Sequence, residues 1–404
     1  MIVPSEKSAR ILAELQAFMT AHVYPNETAH RDALGSAENR FASMPLVESL
    51  KEKARDAGLW NLFVPPDYAE YSDHGGMSFL DYAPLAEEMG RVIWSPEVFN
   101  CNAPDTGNME VLYHFGSDAQ KEKWLTPLLA GEIRSVFGMT EPDVASSDAT
   151  NMAATIIEDG DDVVINGKKW WSTGLGHPNA AFTIFMGLSN PDNDKHSRHS
   201  MVIVPLDTPG ITIKRMLDAY GDYDAPYGHG EMHFDNVRVS KDNIVMGLGK
   251  GFAIAQGRLG PGRIHHCMRA IGMAEKALEL ALKRGHERVA FGKPIIRLGG
   301  NLERVADARM AIEQARLLTL HAAWKIDNLG VKHAMTEISA IKVVVPNMLQ
   351  SVVDMALQIH GGAGMCSDFP LARFAAGARA LRLADGPDEV HKGMVSRLEL
   401  KKYQ

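Results

Sequence analysis

Cysteine is scarce in this chain. Its 404 residues include three cysteines, Cys101, Cys267 and Cys366, which lie far apart in the sequence. Small secreted domains are held together by paired, closely spaced cysteines, so this spacing argues against a disulfide framework and favours a reducing compartment. We therefore expect a cytoplasmic protein.

The sequence also lacks a long apolar run. No stretch stays apolar over the ~18–20 residues that a membrane helix requires. Residues 1–7 show no basic region followed by an apolar segment, and residues 400–404 match no lipidation or retrieval signal. We expect neither a secretory signal nor a membrane span.

A surplus of basic residues is missing as well. Lys and Arg number 42 against 50 Asp and Glu, which gives a formal net charge of −8. Because neutralising phosphates requires surplus Lys and Arg, this balance argues against a nucleic-acid partner. No zinc-ligand spacing occurs, and the adjacent His265 and His266 would point in different directions on a helix. We predict no metal site and interpret the two histidines as a surface or interface pair.

Residues 1–130 are predicted to form an N-terminal helical domain. Apolar residues make up 45% of the whole chain, which is ordinary for a globular protein. In this region they recur at helical spacing, from Ile11 to Met19, from Leu46 to Ala57 and from Tyr82 to Met89. A glycine follows the second and third stripes directly, as is typical where a helix ends.

Residues 131–245 are predicted to form a small β-domain. Val163–Ile165 and Lys168–Trp171 flank Asn166-Gly167, a dipeptide typical of two-residue turns, so we predict a β-hairpin there. Three further short apolar runs are strand candidates: residues 181–186, 200–204 and 231–234.

Residues 246–404 are predicted to form a helical bundle. Long apolar stripes run from Ile271 to Leu282, from Val305 to Ile326 and from Ile341 to Ile359, with Pro346 either opening or kinking the third. Repeated long stripes fit an antiparallel four-helix arrangement. The pattern therefore indicates an α+β fold, mostly α, in the order helical domain, β-domain and helical bundle.

Two polar segments of the predicted β-domain allow both a structural and a functional interpretation. Phe137–Ser147 is rich in hydroxyls and small residues, so it could bind a ring system or a phosphate, or simply connect two elements. Strand alternation would place Trp170 and Trp171 on opposite faces. One indole could then wall a planar cofactor, and the alternative is that both pack in the core.

Glycine clusters in the C-terminal half are interpreted as loops. Gly257–Arg263 contains three glycines but follows no apolar strand, so it does not match a dinucleotide-binding fingerprint. Gly361–Gly364 follows a helical stripe and is predicted to be a helix C-cap and turn.

The segment Arg382–His391 carries three carboxylates within five residues. Asp388 could cap the next helix, and Asp385 could form an Asx turn before Gly and Pro. Alternatively, one of these carboxylates could act as a base, steered by Arg382 or His391. The residues alone do not decide between these hypotheses.

Taken together, the motifs follow an order that resembles the acyl-CoA dehydrogenase family over nearly the whole chain. The matching segments are Met139-Thr-Glu-Pro, Ile165-Asn-Gly-Lys-Lys-Trp, Arg288-Val-Ala-Phe-Gly-Lys293, Gln358-Ile-His-Gly-Gly362 and the acidic loop near the C-terminus. The resemblance implies an N-terminal helical domain, a middle β-barrel-like domain and a C-terminal four-helix bundle. The acidic loop closely resembles one subgroup, whose eukaryotic members carry the dehydrogenase domain behind a kinase-like domain.

The resemblance implies FAD as the cofactor. Phe137 to Ser147 would line the flavin ring, and Thr140 would form a hydrogen bond with it. Trp171 to Thr173 would cover the other side, while Arg288 and Gln358 to Gly362 would hold the pyrophosphate and adenosine half. The implied cofactor residues are Phe137, Met139, Thr140, Ser146, Ser147, Trp171, Ser172, Thr173, Arg288, Gln358, Gly361, Gly362, Asp388 and Glu389.

The family's catalytic base corresponds to Asp385. The resemblance implies that Asp385 removes the α-proton of a fatty acyl-CoA while the β-hydride passes to flavin N5, which yields a trans-2-enoyl-CoA. The implied acyl-CoA contacts are Ala145, Ser146, Gly260, Pro261, Gly262, Arg263 and Gly386.

The same resemblance implies the partners. A neighbouring subunit completes the FAD site in this family, so a homodimer or homotetramer is expected. Electrons would pass to an electron-transfer flavoprotein, as in fatty acid β-oxidation. Members of the subgroup are associated with longer or unusual acyl chains, including 4-oxygenated ones.

Two positions depart from the family pattern. Most members carry Glu in a Tyr-Glu-Gly-Thr loop, whereas this chain has Ala384-Asp-Gly-Pro387. The carboxylate therefore reaches less far by one carbon–carbon bond, ~1.5 Å. Gly299 stands where many members place a Gln near the flavin, which removes one expected contact.

Two other functions are compatible with these residues. A flavoenzyme resembling nitroalkane oxidases would also use an aspartate base, and it would produce hydrogen peroxide from a nitroalkane. A non-catalytic FAD-binding scaffold would bind the flavin, and no acyl-CoA would bleach it.

Overall fold

The structure is a computed structural model that describes residues 2–404, apart from the side chains of Leu259 and Pro261. Two compact units are present. The first comprises Met1–Arg31, Glu52–Phe99 and Arg263–Gln404, and the second comprises Asp32–Lys51 and Asn100–Gly262.

Helices come first along the chain, the strands of one sheet follow, and long helices return after them, with a two-stranded ribbon between the first two of these helices. The α-helices are α1 (Glu6–Phe18), α2 (Glu27–Ser36), α3 (Pro45–Asp56), α4 (Phe79–Gly90), α5 (Ser95–Val98), α6 (Asp105–Phe115), α7 (Asp118–Gln120), α8 (Thr126–Leu129), α9 (Gly251–Glu287), α10 (Asn301–Leu329), α11 (Met335–His360), α12 (Leu371–Leu381) and α13 (Asp388–Leu400). The strands are β1 (Arg134–Gly138), β2 (Thr155–Asp159), β3 (Asp162–Thr173), β4 (Ala180–Leu188), β5 (His199–Pro205), β6 (Ile211–Leu217), β7 (His229–Ser240), β8 (Val289–Ala290) and β9 (Lys293–Pro294).

The second unit is built on a seven-stranded sheet. The strand order is β1-β4-β2-β3-β7-β6, and β5 also pairs with β4. Strand β1 runs parallel to β4, while the long pair β3–β7 is antiparallel. The inward faces form an apolar core that includes Val136, Ile156, Val163, Ile165, Phe185, Val202, Val204, Met232 and Phe234. The three strand candidates predicted after residue 180 are confirmed as parts of β4, β5 and β7.

The predicted hairpin turn at Asn166-Gly167 is wrong. Strand β3 continues through this dipeptide, and the turn lies earlier, at residues 160–161, where Asp159 pairs with Asp162. Gly167 instead marks a break in the β3–β7 register, with φ of 140°. A β-carbon there would overlap Ala154, so the glycine permits a bulge and a close backbone approach.

The first unit is helical, and the predicted stripes in α1, α4, α9, α10 and α11 are confirmed. Helix α11 packs against α10, α12 and α13. Pro346 lies inside α11 rather than at its start, and Gly361 ends the helix with φ of 61°, as predicted for a C-cap. The segment Val331–Met365 is apolar enough to cross a membrane by length and composition alone, but 56% of its most apolar window is buried. A buried core helix gives the same signal, so the prediction of no membrane span is not contradicted.

The predicted loop over Gly257–Arg263 is wrong, because these residues belong to helix α9. Glycine disfavours helix interiors by about 1 kcal/mol, which explains the error. Further along α9, Gly272 meets α4 at a backbone contact. A β-carbon on Gly272 would overlap the carbonyl oxygen of Glu87, and one on Gly90 would overlap that of Arg269. The two helices are therefore packed closer than alanine would allow.

Replacing Gly272 with Ala is expected to destabilise the protein by about 1–3 kcal/mol, because the added methyl group must push α4 and α9 apart. Gly377→Ala in α12 is the matched control, since no atom lies within 4 Å of its added methyl group. There the gain in helix propensity should leave stability unchanged or slightly raised. Thermal unfolding of the two variants beside the parent protein measures both effects. Equal melting temperatures for both variants would contradict the close packing.

Candidate active site

The segment Phe137–Ser147 starts on a strand and is held by a buried ion pair. Phe137 and Gly138 are the last residues of β1, so the loop proper begins at Met139. Lys169 is fully buried, and its Nζ donates to the carbonyl oxygen of Met139 at 2.9 Å, to that of Met186 at 2.6 Å and to Glu141 Oε1 at 2.7 Å. Burial lowers the pKa of Lys169 to about 8, against the opposing effect of Glu141.

Glu141 extends this anchoring to the rest of the loop. Its carboxylate accepts hydrogen bonds from the backbone N–H groups of Ala153 at 2.8 Å and Ala154 at 3.1 Å. Its own N–H donates to Ser146 Oγ at 2.8 Å, so this hydroxyl is engaged within the loop. Thr140, Ala145 and Ser147 remain exposed. The Lys169–Glu141 pair was missed at the sequence level, although both residues lie inside the segments that carry the family resemblance.

The two tryptophans of β3 do not alternate as a regular strand requires. The β3–β7 register shifts between Lys169 and Ser172, and Trp171 has a left-handed φ of 50°. The indoles of Trp170 and Trp171 meet edge to face with centroids 6.5 Å apart, so their placement on opposite faces is wrong. The bulge leaves the Trp171 side chain 42% exposed, while the N–H of Trp170 donates to the carbonyl oxygen of Thr140 at 3.0 Å.

The hydroxyls that follow Trp171 differ in their partners. Thr173 Oγ1 lies 2.9 Å from His229 Nδ1. Ser172 Oγ is buried and has no hydrogen-bond partner among the described residues. Buried hydroxyls are normally satisfied, so Ser172 is a position where a bound group could supply the missing partner.

A polar cluster borders the other end of the segment and was also missed. The guanidinium of Arg258 lies 3.8 Å from the centre of the Phe137 ring, and its Nε donates to Asn108 Oδ1 at 3.1 Å. Glu110, which also lies on α6, is buried. Burial raises the pKa of Glu110 to about 8, against the opposing charge of Arg258. Helix α6 had no clear apolar stripe, which explains why these residues escaped notice.

Asp385 lies in the first unit, in the loop between α12 and α13. It has a left-handed φ of 54°, and Gly386 after it has φ of 103°. Arg263 Nε donates to the carbonyl oxygen of Asp385 at 3.1 Å, and His391 Nε2 lies 3.2 Å from the same oxygen. A strained non-glycine backbone held from two sides is a common sign of a functional position.

The neighbouring carboxylates have different environments. Asp388 is buried and is the first residue of α13, whose N-cap is Pro387, so its predicted role as cap is wrong. It accepts instead from Arg382 Nε at 2.9 Å and Asn347 Nδ2 at 3.1 Å. Burial acts to raise the pKa of Asp388, but these hydrogen bonds hold it below its ordinary value. Glu389 is exposed.

The residues expected to hold the adenosine half of the cofactor lie at helix ends of the first unit. Arg288 directly follows α9, Gln358 is in the last turn of α11, and Gly361 and Gly362 follow that helix; all four are exposed. Burial lowers the pKa of His360, and the charge of Arg284 adds to this effect.

The expected substrate residues are divided between the units. Ala145 and Ser146 belong to the loop of the second unit, whereas Arg263 and Gly386 lie in the first. Gly260 and Gly262 belong to α9, and the side chain of Pro261 lies outside the described residues.

The residues around β3 fit a planar cofactor. The bulge fixes an exposed indole at Trp171, and the adjacent Ser172 hydroxyl is buried without a partner among the described residues. An isoalloxazine ring offers both a flat face and hydrogen-bonding atoms. These residues therefore suit the FAD that the family uses.

Comparison with known proteins places the whole chain in one family. Three models match: the acyl-CoA dehydrogenase N-terminal domain over residues 5–132, the middle domain over residues 136–237 and the C-terminal domain over residues 249–399. The chain is 51% identical to acyl-CoA dehydrogenase family member 10 of Mus musculus, over 97% of this chain and 37% of that protein. It is also 51% identical to family member 11 of Gallus gallus, over 98% of this chain and 51% of that protein.

The chain thus spans about half or less of the length of these two relatives. A solved structure of a provisional acyl-CoA dehydrogenase from Mycobacterium abscessus is 59% identical, with full coverage of both chains and a TM-score of 0.96. The predicted fold class, with helical N- and C-terminal domains around a middle sheet, and the predicted FAD cofactor are confirmed. The domain boundaries and individual site residues stay predictions. The chain belongs to the acyl-CoA dehydrogenase family of FAD-dependent oxidoreductases.

Proposed function

We propose that this protein dehydrogenates a fatty acyl-CoA between its α and β carbons, giving a trans-2-enoyl-CoA, with Asp385 as the base. The observation that carries the proposal is the backbone of Asp385. A carboxylate at the family's base position stands on a left-handed residue whose carbonyl is held by Arg263 and His391. Such strain persists only where surrounding contacts enforce it.

The chain's own residues supply position and electrostatics. Asp385 would form an O–H bond with the α-proton as the α C–H bond breaks, and backbone N–H groups at the base loop would stabilise charge on the thioester oxygen. When bound, FAD accepts the β-hydrogen together with an electron pair. Trp171 and Ser172 would hold the flavin ring, and Arg288 with Gln358 to Gly362 would hold the pyrophosphate and adenosine half.

The loop geometry bears on the shorter side chain. Asp places its carboxylate ~1.5 Å nearer the backbone than Glu would. A left-handed residue directs its side chain differently from an extended one, so the backbone conformation sets where this carboxylate points. Replacing Gly386 would strain the loop, because its φ of 103° favours glycine and an added β-carbon would lie 3.0 Å from His391 Nε2.

The proposed partners follow from the family. A homodimer or homotetramer would complete the FAD site, an electron-transfer flavoprotein would take the electrons, and the protein would act in the cytoplasm in fatty acid β-oxidation. An anaerobic absorbance titration with short, long and 4-substituted acyl-CoAs tests the reaction. Bleaching by one class identifies the substrate. If no acyl-CoA bleaches the flavin, peroxide from a nitroalkane would indicate a nitroalkane-oxidase-like enzyme, and its absence a scaffold.

The Asp385→Asn variant should bind FAD normally. Its flavin should be reduced by the acyl-CoA about 10²–10⁴-fold more slowly, because a general base accelerates a reaction by about that factor. Stopped-flow reduction of the flavin under anaerobic conditions measures the rate. Asp385→Glu, which keeps a carboxylate, should retain measurable reduction. Asp56→Asn, an exposed aspartate at the end of α3, is the control for the charge change. Rapid reduction of Asp385→Asn would eliminate this residue as the base.

Lys169→Met should lower both stability and FAD retention. Removing one partner of a buried ion pair leaves Glu141 uncompensated, at a cost of about 3–5 kcal/mol, and frees the loop from Met139 onward. The adjacent Lys168→Met is a matched control, because Lys168 is half-exposed and pairs with Asp143 at the surface. Melting temperature and the flavin-to-protein absorbance ratio after gel filtration are the readouts. Unchanged values for Lys169→Met would show that the pair does not order the loop.

A further inference from the structure

The described side chains around Asp385 include a histidine whose ring faces the carboxylate. His266 lies on α9, and its Nε2 is 3.5 Å from Asp385 Oδ2. Both side chains are about three-quarters buried, with 26% and 21% of their surfaces exposed. The separation is slightly longer than a hydrogen bond, as is common for catalytic contacts before substrate is bound.

We propose that His266 is a positioning residue for the base: its neutral imidazole donates from Nε2 to the Asp385 carboxylate and aims it for α-proton removal. This inference rests on the proposed function of Asp385. It assigns His266 a role in the same reaction without contact to the reacting carbon atoms.

The tautomer of His266 follows from its second neighbour. Arg269 NH2 lies 3.2 Å from His266 Nδ1, one helical turn along α9. A guanidinium can only donate hydrogen bonds, so Nδ1 must accept and the ring proton must reside on Nε2. That nitrogen is the one that faces Asp385. Arg269 also disfavours a doubly protonated ring, which would direct a second N–H at a cation.

The described contacts of Asp385 involve both its backbone and its carboxylate. Arg263 and His391 meet its carbonyl oxygen, whereas His266 addresses the side chain. The first two contacts therefore act on the loop backbone, whereas His266 acts on the direction of the carboxylate.

A neutral donor suits a base better than a cation does. Asp385 acts electrostatically on two buried cations, Arg263 and Lys342. Direct pairing with either would stabilise the carboxylate and weaken its affinity for a proton. A hydrogen bond from a neutral imidazole orients the carboxylate at a smaller cost in basicity. His266 would thus orient the short aspartate side chain without adding a further positive charge beside it.

The adjacent histidine shows that this placement is specific to one of the pair. His265 is 1% exposed, and its ring lies 4.9 Å from that of Tyr82 and 5.8 Å from that of Phe79. Burial lowers the pKa of His265 far below its ordinary value. The two rings do point in different directions, as predicted, but the expectation of a surface or interface pair is wrong for His265, which is buried within the chain.

Several titratable or charged groups surround the Asp385–His266 pair. They are Arg263, Cys267 and Arg269 on α9, Lys342 on α11, and Asp388 and His391 on α13. Burial raises the pKa of Cys267 to about 12 and lowers that of His391 to about 4. Neither group changes charge between about pH 5 and 10, so they do not obscure the titration of the pair.

The test compares substitutions of His266 by the pH dependence of anaerobic flavin reduction, using the acyl-CoA that bleaches the parent protein. His266→Gln retains an amide N–H at a reach similar to that of Nε2, whereas His266→Asn is too short and His266→Ala has no donor. We expect reduction about 10- to 100-fold slower for the Ala and Asn variants, because a misplaced reacting group costs that much. The acid limb of their pH profiles should move to higher pH, since the carboxylate loses a donor to its charged form. His266→Gln should stay within a few-fold of the parent rate, with its acid limb in place.

The controls separate this inference from the proposed function. His22→Ala removes a half-buried histidine whose ring lies 4.9 Å from Phe18, and it should leave rate and pH profile unchanged. FAD content and melting temperature confirm folding, and the Asn–Gln comparison remains if the Ala variant fails to fold. If Asp385→Asn is inactive while His266→Ala and His266→Asn keep the parent rate and acid limb, the positioning role is overturned and the base assignment stands. Equal slowing of the Gln and Asn variants without a pH shift would likewise indicate a structural role. Rapid reduction of Asp385→Asn would overturn both.

Discussion

The buried ammonium of Lys169 is the constraint on which the architecture of the second unit depends most. A buried ammonium group needs hydrogen-bond acceptors in place of water. Lys169 donates to the Met139 carbonyl and the Glu141 carboxylate, both on the loop after β1, and to the Met186 carbonyl on β4. Desolvation of such an ion costs several kcal/mol, so the three acceptors cannot relax independently. Strand β3 is thereby fixed where its register breaks, and the break turns Trp171 outward. One buried pair therefore determines both the shape of the loop and the position of the exposed indole.

Left-handed backbone occurs at two positions of the candidate site. Trp171 and Asp385 both have φ near 50°, a conformation that costs a residue with a β-carbon roughly 1–2 kcal/mol. In each case neighbouring contacts enforce it: a bulge beside a buried lysine in one unit, and two side chains on a carbonyl oxygen in the other. Strain of this kind is retained where the direction of one side chain matters more than stability.

The sequence allowed prediction of the features that depend on local periodicity. Helices with continuous apolar stripes, such as α10, and strands with compact apolar runs, such as β5, were located correctly. Two predictions made from glycine were wrong, the turn at Gly167 and the loop from Gly257. In a sequence, a glycine that allows two backbones to approach closely cannot be distinguished from one that allows a turn. The residues Lys169, Arg258 and His266 have no local signal, since their roles arise from neighbours distant along the chain. The assignment of Asp385 came from the order of motifs rather than from periodicity.

The aspartate in place of glutamate is best understood together with its surroundings. A shorter carboxylate reaches less far and has one fewer rotatable bond, so the backbone and its neighbours determine its position more completely. The left-handed φ sets the direction of the side chain, Arg263 and His391 hold the carbonyl, and His266 lies beside Oδ2. A glutamate could reach further but would need its additional torsion to be fixed by packing. If Asp385 is the base, as proposed, constraint on the backbone and the neighbouring imidazole would compensate for the shorter reach of its side chain. Under the proposed mechanism the histidine and the aspartate act as one unit, so a change at either should be judged by its effect on the other.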